Sequence, residues 1–274
     1  MSNIYKIDLI KIKQENLQEV FIFLEEQLSQ LEIDFYLIGA IAKDMWMSGV
    51  HEVSLGRITT DLDIAVLIDS EEKFSLLKNK LVNTGRFTSL KNSPYTLLFD
   101  GRIQLDMLPF GGVNIEDINF SKTIALTAST NGFAEVYKNA LAQFEIQGGH
   151  FAVCTLPGIV LLKLIAYDDR PEHRQKDLQD IGNIVRAYHR IADDLLFEEE
   201  YIDLLELESP IKVAAQLLGR QLAPIIKSSE PLTHRVAGIL AKYPFNIEEE
   251  LNSRASLSIN IIKELEKGLL HGLK

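Results

Sequence analysis

The run TTDLDIAVLID, residues 59–69, places two aspartates one residue apart at the head of an apolar segment. An apolar run of this length, rich in β-branched residues, predicts a buried strand. Successive side chains of a strand point to opposite faces. Asp61 and Asp63 therefore point the same way, and Arg57 and Thr59 continue their row if the strand starts early enough. Leu62, Ile64 and Val66 point the other way, into a core. Two parallel carboxylates repel each other and are costly to desolvate. A divalent cation between them removes that cost, and oxygen-only ligands suit Mg²⁺, or Mn²⁺ in its place. Taken alone, the pair has a second explanation: Asp61 caps the strand and Asp63 pairs with Arg57.

A third acid stands in a similar setting. In GRIQLDMLPF, Ile103, Leu105 and Met107 alternate with Gln104 and Asp106. If this strand lies near the first in one sheet, Asp61, Asp63 and Asp106 converge, and three acids on one face call for cations. An edge-strand acid in solvent is the alternative for Asp106.

Around these segments the chain alternates helix and strand as far as about residue 150. Leu17, Val20, Phe21, Leu24, Leu28 and Leu31 recur at helical spacing. DFYLIGA predicts a short strand closed by Gly39, and IAKDMWMSGV a helix ending near Gly49. SEEKFSLLKNKLVNTG carries a serine at its start, glutamates in its first turn and a glycine at its end, the signals of a complete helix. Asp100-Gly101 and Gly148-Gly149 each predict a hairpin turn. Later segments, including KDLQDIGNIVRAYHRI, SPIKVAAQLLGRQLAPIIK and NSRASLSINIIKELEKGLL, predict helices. The expectation is an α+β chain of two domains, a mixed-sheet domain over residues 1–150 and a mostly helical one over 151–274.

The order LIGA, RITTDLDIAV, IQLDML resembles the nucleotidyltransferase superfamily, which has the fold of DNA polymerase β. Within it the chain is similar to the AbiEii/AbiGii toxin-type nucleotidyltransferases. The resemblance covers about residues 35–185. It implies a mixed sheet flanked by helices, followed by a helical domain. It also implies an Mg²⁺-dependent transfer from a nucleoside triphosphate (NTP) to a hydroxyl on an RNA end, a protein or a small molecule. Asp61, Asp63 and Asp106 would hold the metal, and Asp106 would accept the hydroxyl's proton. Gly39, Ala40, Arg57, Thr59 and Lys163 would bind the nucleotide, with Lys163 on its triphosphate. Asp177, heading Asp-Leu-x-Asp, would complete the site from the helical domain. A toxin of this type would pair with a cognate antitoxin. Two features depart from the family pattern: the turn reads Gly39-Ala40 where Gly-Ser or Gly-Gly is usual, and the interval to Asp61 is long.

The residues alone leave other readings open. Lys163 in an apolar run can snorkel to water. Asp177 and Asp180, three apart, share a helix face that solvent could cover. Arg170, His173, Arg174 and Lys176 form a basic loop suited to phosphates, or an ordinary solvated one. The rivals to transfer are a nucleotide-binding or regulatory module without turnover, which Ala40 favours, and a metal-dependent phosphodiesterase.

Bulk properties narrow the setting. A formal charge of −11 over 274 residues argues against unguided binding to nucleic acid or an acidic membrane. The single cysteine, Cys154, excludes an internal disulfide and fits a reducing, cytoplasmic compartment. No apolar run is long enough to span a bilayer. The acidic stretch DDLLFEEEYIDLLELE predicts a solvated helix face.

Overall fold

A computed structural model describes residues 4–13, 17–53, 59, 61–91, 93–111, 131–251 and 255–274. The chain divides into two compact units, Met1–Thr155 and Leu156–Lys274.

Unit 1 contains strands β1 (Ile4–Ile7), β2 (Phe35–Ile38), β3 (Asp61–Leu67), β4 (Phe87–Leu90), β5 (Ser93–Phe99), β6 (Ile103–Phe110), β7 (Leu141–Ile146) and β8 (Gly149–Cys154). They form one mixed sheet in the order β1-β7-β8-β2-β3-β6-β5-β4. The pairs β1/β7, β8/β2 and β3/β6 are parallel, and the remaining neighbours are antiparallel. The helices are α1 (Gln18–Ser29), α2 (Gly39–Asp44), α3 (Glu71–Asn83) and α4 (Phe133–Asn139). After α2 the backbone widens into a π-helical turn over Met45–Val50, whose Trp46 indole donates to the Cys154 carbonyl at 2.8 Å.

Local chemistry accounts for several boundaries. Ser70 caps α3 by accepting from the Lys73 amide at 3.2 Å, and Gly85 takes positive φ just past its end. Phe74, Leu77 and Leu81 are its buried stripe. Asp100 and Gly101, both at positive φ, turn β5 into β6. The second hairpin turns one residue earlier than the glycine pair suggests. Gln147 and Gly148 take the two positive-φ positions of a two-residue turn, and Gly149 opens β8 opposite Ile146. Because β8 runs to Cys154, unit 1 extends past residue 150.

Unit 2 contains α5 (Leu156–Asp169), α6 (Gln175–Ile191), α7 (Pro210–Ile226), α8 (Glu230–Lys242), the antiparallel strands β9 (Asn246–Leu251) and β10 (Ala255–Asn260), and α9 (Ile261–Gly272). Two expectations are corrected here. Residues 255–260 form a strand rather than the start of a helix. Asn260 is extended, and its side chain accepts from the Lys263 amide at 3.2 Å, so α9 cannot begin before Ile261. The acidic stretch forms two short 3₁₀ turns, Asp193–Phe197 and Ile202–Glu206, instead of one helix. Arg220 of α7 anchors the second turn: it is buried, donates to the Glu200 carbonyl at 2.6 Å and pairs with Asp203.

Candidate active site

β3 and β6 run parallel and in a register that places Asp63 directly beside Asp106. Neighbouring strands lie about 4.8 Å apart, so the two carboxylates emerge side by side on one face. Both are half-buried, while Leu62, Ile64, Leu105 and Met107 fill the opposite face. On the other side of β3, Asp63 pairs with Ile38, the last residue of β2. Gly39 follows at φ +70°, and its Cα lies against the Asp63 carboxylate: a Cβ there would sit 2.1 Å from Oδ2. The glycine is required both by its φ and by that contact.

Asp61 opens β3 and is exposed; it is paired with Gln104 rather than with Asp106. Its amide donates to the Thr59 hydroxyl at 3.3 Å. Thr59 thus shapes the entry to β3. Ala40 is the second residue of α2, which runs on without a break into the π-helical turn. Arg57 lies outside the described residues.

Asp106 is held by two neutral donors. The Thr96 hydroxyl of β5, directly across the antiparallel pair, donates to Oδ1 at 2.5 Å. The Gln104 amide donates to Oδ2 at 2.9 Å. Ser93 Oγ lies 2.5 Å from Thr96 Oγ1. Sequence reasoning placed Gln104 in the Asp106 row but gave it no role. It missed Thr96 and Ser93, because only the β5/β6 register brings them to Asp106.

Lys163, Asp177 and Asp180 come together within unit 2. Lys163 Nζ on α5 donates to Asp177 Oδ1 and to Asp180 Oδ2, each at 2.8 Å, joining α5 to α6. Burial lowers the Lys163 pKa, but the two carboxylates outweigh it and hold the ammonium above its ordinary value. From the basic loop, Arg174 Nη1 lies 3.8 Å from Asp177 Oδ2, whereas His173 is exposed beside Glu172.

Among the described residues no three His, Cys, Asp or Glu side chains are grouped closely enough to hold a metal ion. The Asp63/Asp106 pair nonetheless fits Mg²⁺, which commonly uses one or two carboxylates and takes the rest of its shell from water and phosphate oxygens.

No protein-family model matches the chain, and no curated protein does. Two solved structures are similar to parts of it. One is the crystal structure of an antigenic nucleotidyltransferase-like protein from Paracoccidioides brasiliensis, 14% identical, over 72% of this chain and 92% of that one, with a TM-score of 0.45. The other is the solution structure of the antibiotic-resistance factor ANT(2'')-Ia, 15% identical, over 70% and 90%, with a TM-score of 0.39. At these scores neither likeness establishes a family or an activity for this chain. Among the described residues no helix is long and apolar enough to cross a membrane.

Proposed function

We propose that the chain transfers a nucleotidyl group from a nucleoside triphosphate to an acceptor hydroxyl. The observation that carries this reading is the in-register pairing of Asp63 with Asp106 beside the Gly39 turn. Asp63 and Asp106 would hold Mg²⁺ or Mn²⁺, with exposed Asp61 as a third ligand once substrate closes the shell. The bound ion would supply Lewis-acid stabilisation of the phosphate oxygens and of the leaving pyrophosphate. Asp106 would take the proton of the attacking hydroxyl. Gly39, with no side chain, lets the Asp63 carboxylate lie against its Cα, which would set that ligand's place. Arg57, shortly before β3 in sequence, would offset phosphate charge, and Thr59, whose hydroxyl accepts from the Asp61 amide, would steady the first residue of β3.

The reading gives Lys163 a different part from the one the family resemblance implies. The Lys163 ammonium already donates to Asp177 and Asp180 at 2.8 Å, so its charge is spent on these carboxylates. Its role is to fix α5 against α6. The acceptor class, whether RNA end, protein or small molecule, and a toxin role with a cognate antitoxin rest on the family resemblance alone.

The test is incubation of the protein with each α-radiolabelled NTP, Mg²⁺ or Mn²⁺, and total RNA, with the protein itself as a second acceptor. The Asp61→Ala/Asp63→Ala variant runs beside it. Label that moves to RNA or protein only with intact aspartates supports transfer and names the acceptor class. If no label moves, NTP calorimetry in the presence of metal separates a small-molecule acceptor, which requires NTP binding, from a chain with no nucleotide affinity, which cannot be a transferase.

A further inference from the structure

Four strands contribute to one transverse row in unit 1: Ile38 on β2, Asp63 on β3, Asp106 on β6 and Thr96 on β5. Asp106 is flanked by a carboxylate on one side and a hydroxyl on the other. Thr96 is buried, with 6% of its surface exposed. A hydroxyl has one proton and a carboxylate has none to donate. The Thr96 proton therefore points at Asp106 Oδ1, and Ser93 must donate to Thr96 Oγ1. The three form a directed chain, Ser93 to Thr96 to Asp106, in which each bond polarises the next.

We infer that Thr96 is a positioning residue that fixes the Asp106 carboxylate for a divalent cation, and that the Gln104 amide occupies Oδ2, the oxygen the cation takes. Three observations carry this. Both donors are neutral, so neither cancels the negative charge that a cation needs, as an arginine or lysine in either place would. Thr96 reaches Asp106 from the strand opposite Asp63, so it holds Oδ1 and leaves Oδ2 for an ion shared with Asp63. Gln104 lies on the same face two residues before Asp106, paired with Asp61, and is only half-buried, so its side chain has solvent to swing into. Carboxylates that ligate metals are commonly oriented by such outer partners. The inference rests on the metal-dependent transfer reading above and adds to it the residues that prepare its ligand.

The experiment is titration of the full chain with Mn²⁺, followed by electron paramagnetic resonance of the free ion, for wild type and for Thr96→Val, Thr96→Ser, Gln104→Ala and Asp106→Asn. Circular dichroism melts confirm that each variant is folded. Thr96→Val keeps the shape and removes the hydroxyl, and we expect it to weaken Mn²⁺ binding roughly 10–100-fold. Thr96→Ser restores the hydroxyl and should bind within a few-fold of wild type, which separates positioning from packing. Gln104→Ala should bind no more weakly than wild type, because it removes a competitor for Oδ2. Wild-type affinity in Thr96→Val, or a loss in Gln104→Ala equal to that in Thr96→Val, overturns the inference while a loss in Asp106→Asn leaves the metal site standing. Wild-type affinity in Asp106→Asn overturns the metal reading itself, and the inference with it.

Discussion

The Asp63 carboxylate fills the space where a side chain on Gly39 would lie. A Cβ at residue 39 would approach Oδ2 to 2.1 Å and Cγ to 2.7 Å. Gly39→Ala must also hold φ +70°, which an L side chain resists. We expect the substitution to cost about 1–3 kcal/mol of stability, read from urea unfolding, and to abolish transfer by displacing Asp63. An active Gly39→Ala protein of wild-type stability would mean that the carboxylate does not rest on this glycine.

Replacing Asp63 with Asn changes a charge and almost no volume. Because the shape is kept, the chain should stay folded with a melting temperature near that of wild type while transfer and Mn²⁺ binding are lost. A drop of several degrees would assign Asp63 a structural role instead.

Lys163→Met removes the cation between two carboxylates that it bonds at 2.8 Å. Leaving them facing each other in a largely buried site should destabilise the chain by about 3 kcal/mol. Adding Asp177→Asn and Asp180→Asn to that variant should recover much of the loss. The pH dependence follows from the raised pKa of Lys163. Its stabilisation is complete below the unfolded value of about 10.4 and is lost as pH rises through the higher folded value. The stability gap between wild type and Lys163→Met should therefore stay constant from neutrality to about pH 10 and close above it. A gap that closes near neutrality would contradict the ion cluster.

Asp203 responds at the other end of the scale. The hydrogen bond from Arg220 holds its pKa below the ordinary carboxylate value. That stabilisation is present above about pH 3.9, the unfolded value, and is lost as pH falls through the folded one. Asp203→Asn should flatten the acid limb of a melting-temperature profile. It should also lower stability at neutrality, because buried Arg220 loses its counter-charge.

In unit 2, α7 and α9 approach until their backbones touch. A Cβ on Gly268 would lie 2.1 Å from the Gln216 carbonyl oxygen, and one on Gly219 would lie 2.2 Å from that of Leu265. Backbone cannot yield as a flexible side chain can, so Gly268→Ala should cost about 1–3 kcal/mol in thermal or chemical unfolding. An unperturbed variant would place the helices farther apart.

Reading β3 and β6 from residue order alone succeeds because strand parity is a local property. Once TTDLDIAVLID is a strand, the shared face of Asp61 and Asp63 follows from backbone geometry, and so does the separation of Asp106 from Leu105 and Met107. The ends of α3 are equally local, since Ser70 and Gly85 act on groups within a few residues. Short weak elements were not legible in this way. β1 is four residues long and is held by its pairing with β7, more than a hundred residues away. β10 reads as helix from sequence because IIKELEKGLL behind it is strongly amphipathic and hides the alternation of ASLSIN.

The sequence by itself determined which side chains share a face: Asp61 with Asp63, Gln104 with Asp106, Asp177 with Asp180. Tertiary structure alone decided which faces meet. Strand register brought Asp63 beside Asp106 and Thr96 onto Oδ1, while Asp61 fell opposite Gln104. Helix packing closed Lys163 onto Asp177 and Asp180. Side-chain direction depends on the dihedral angles of neighbouring residues, which the local sequence biases. Register and packing depend on burying apolar surface contributed by segments far apart in the chain, and no single segment encodes that sum.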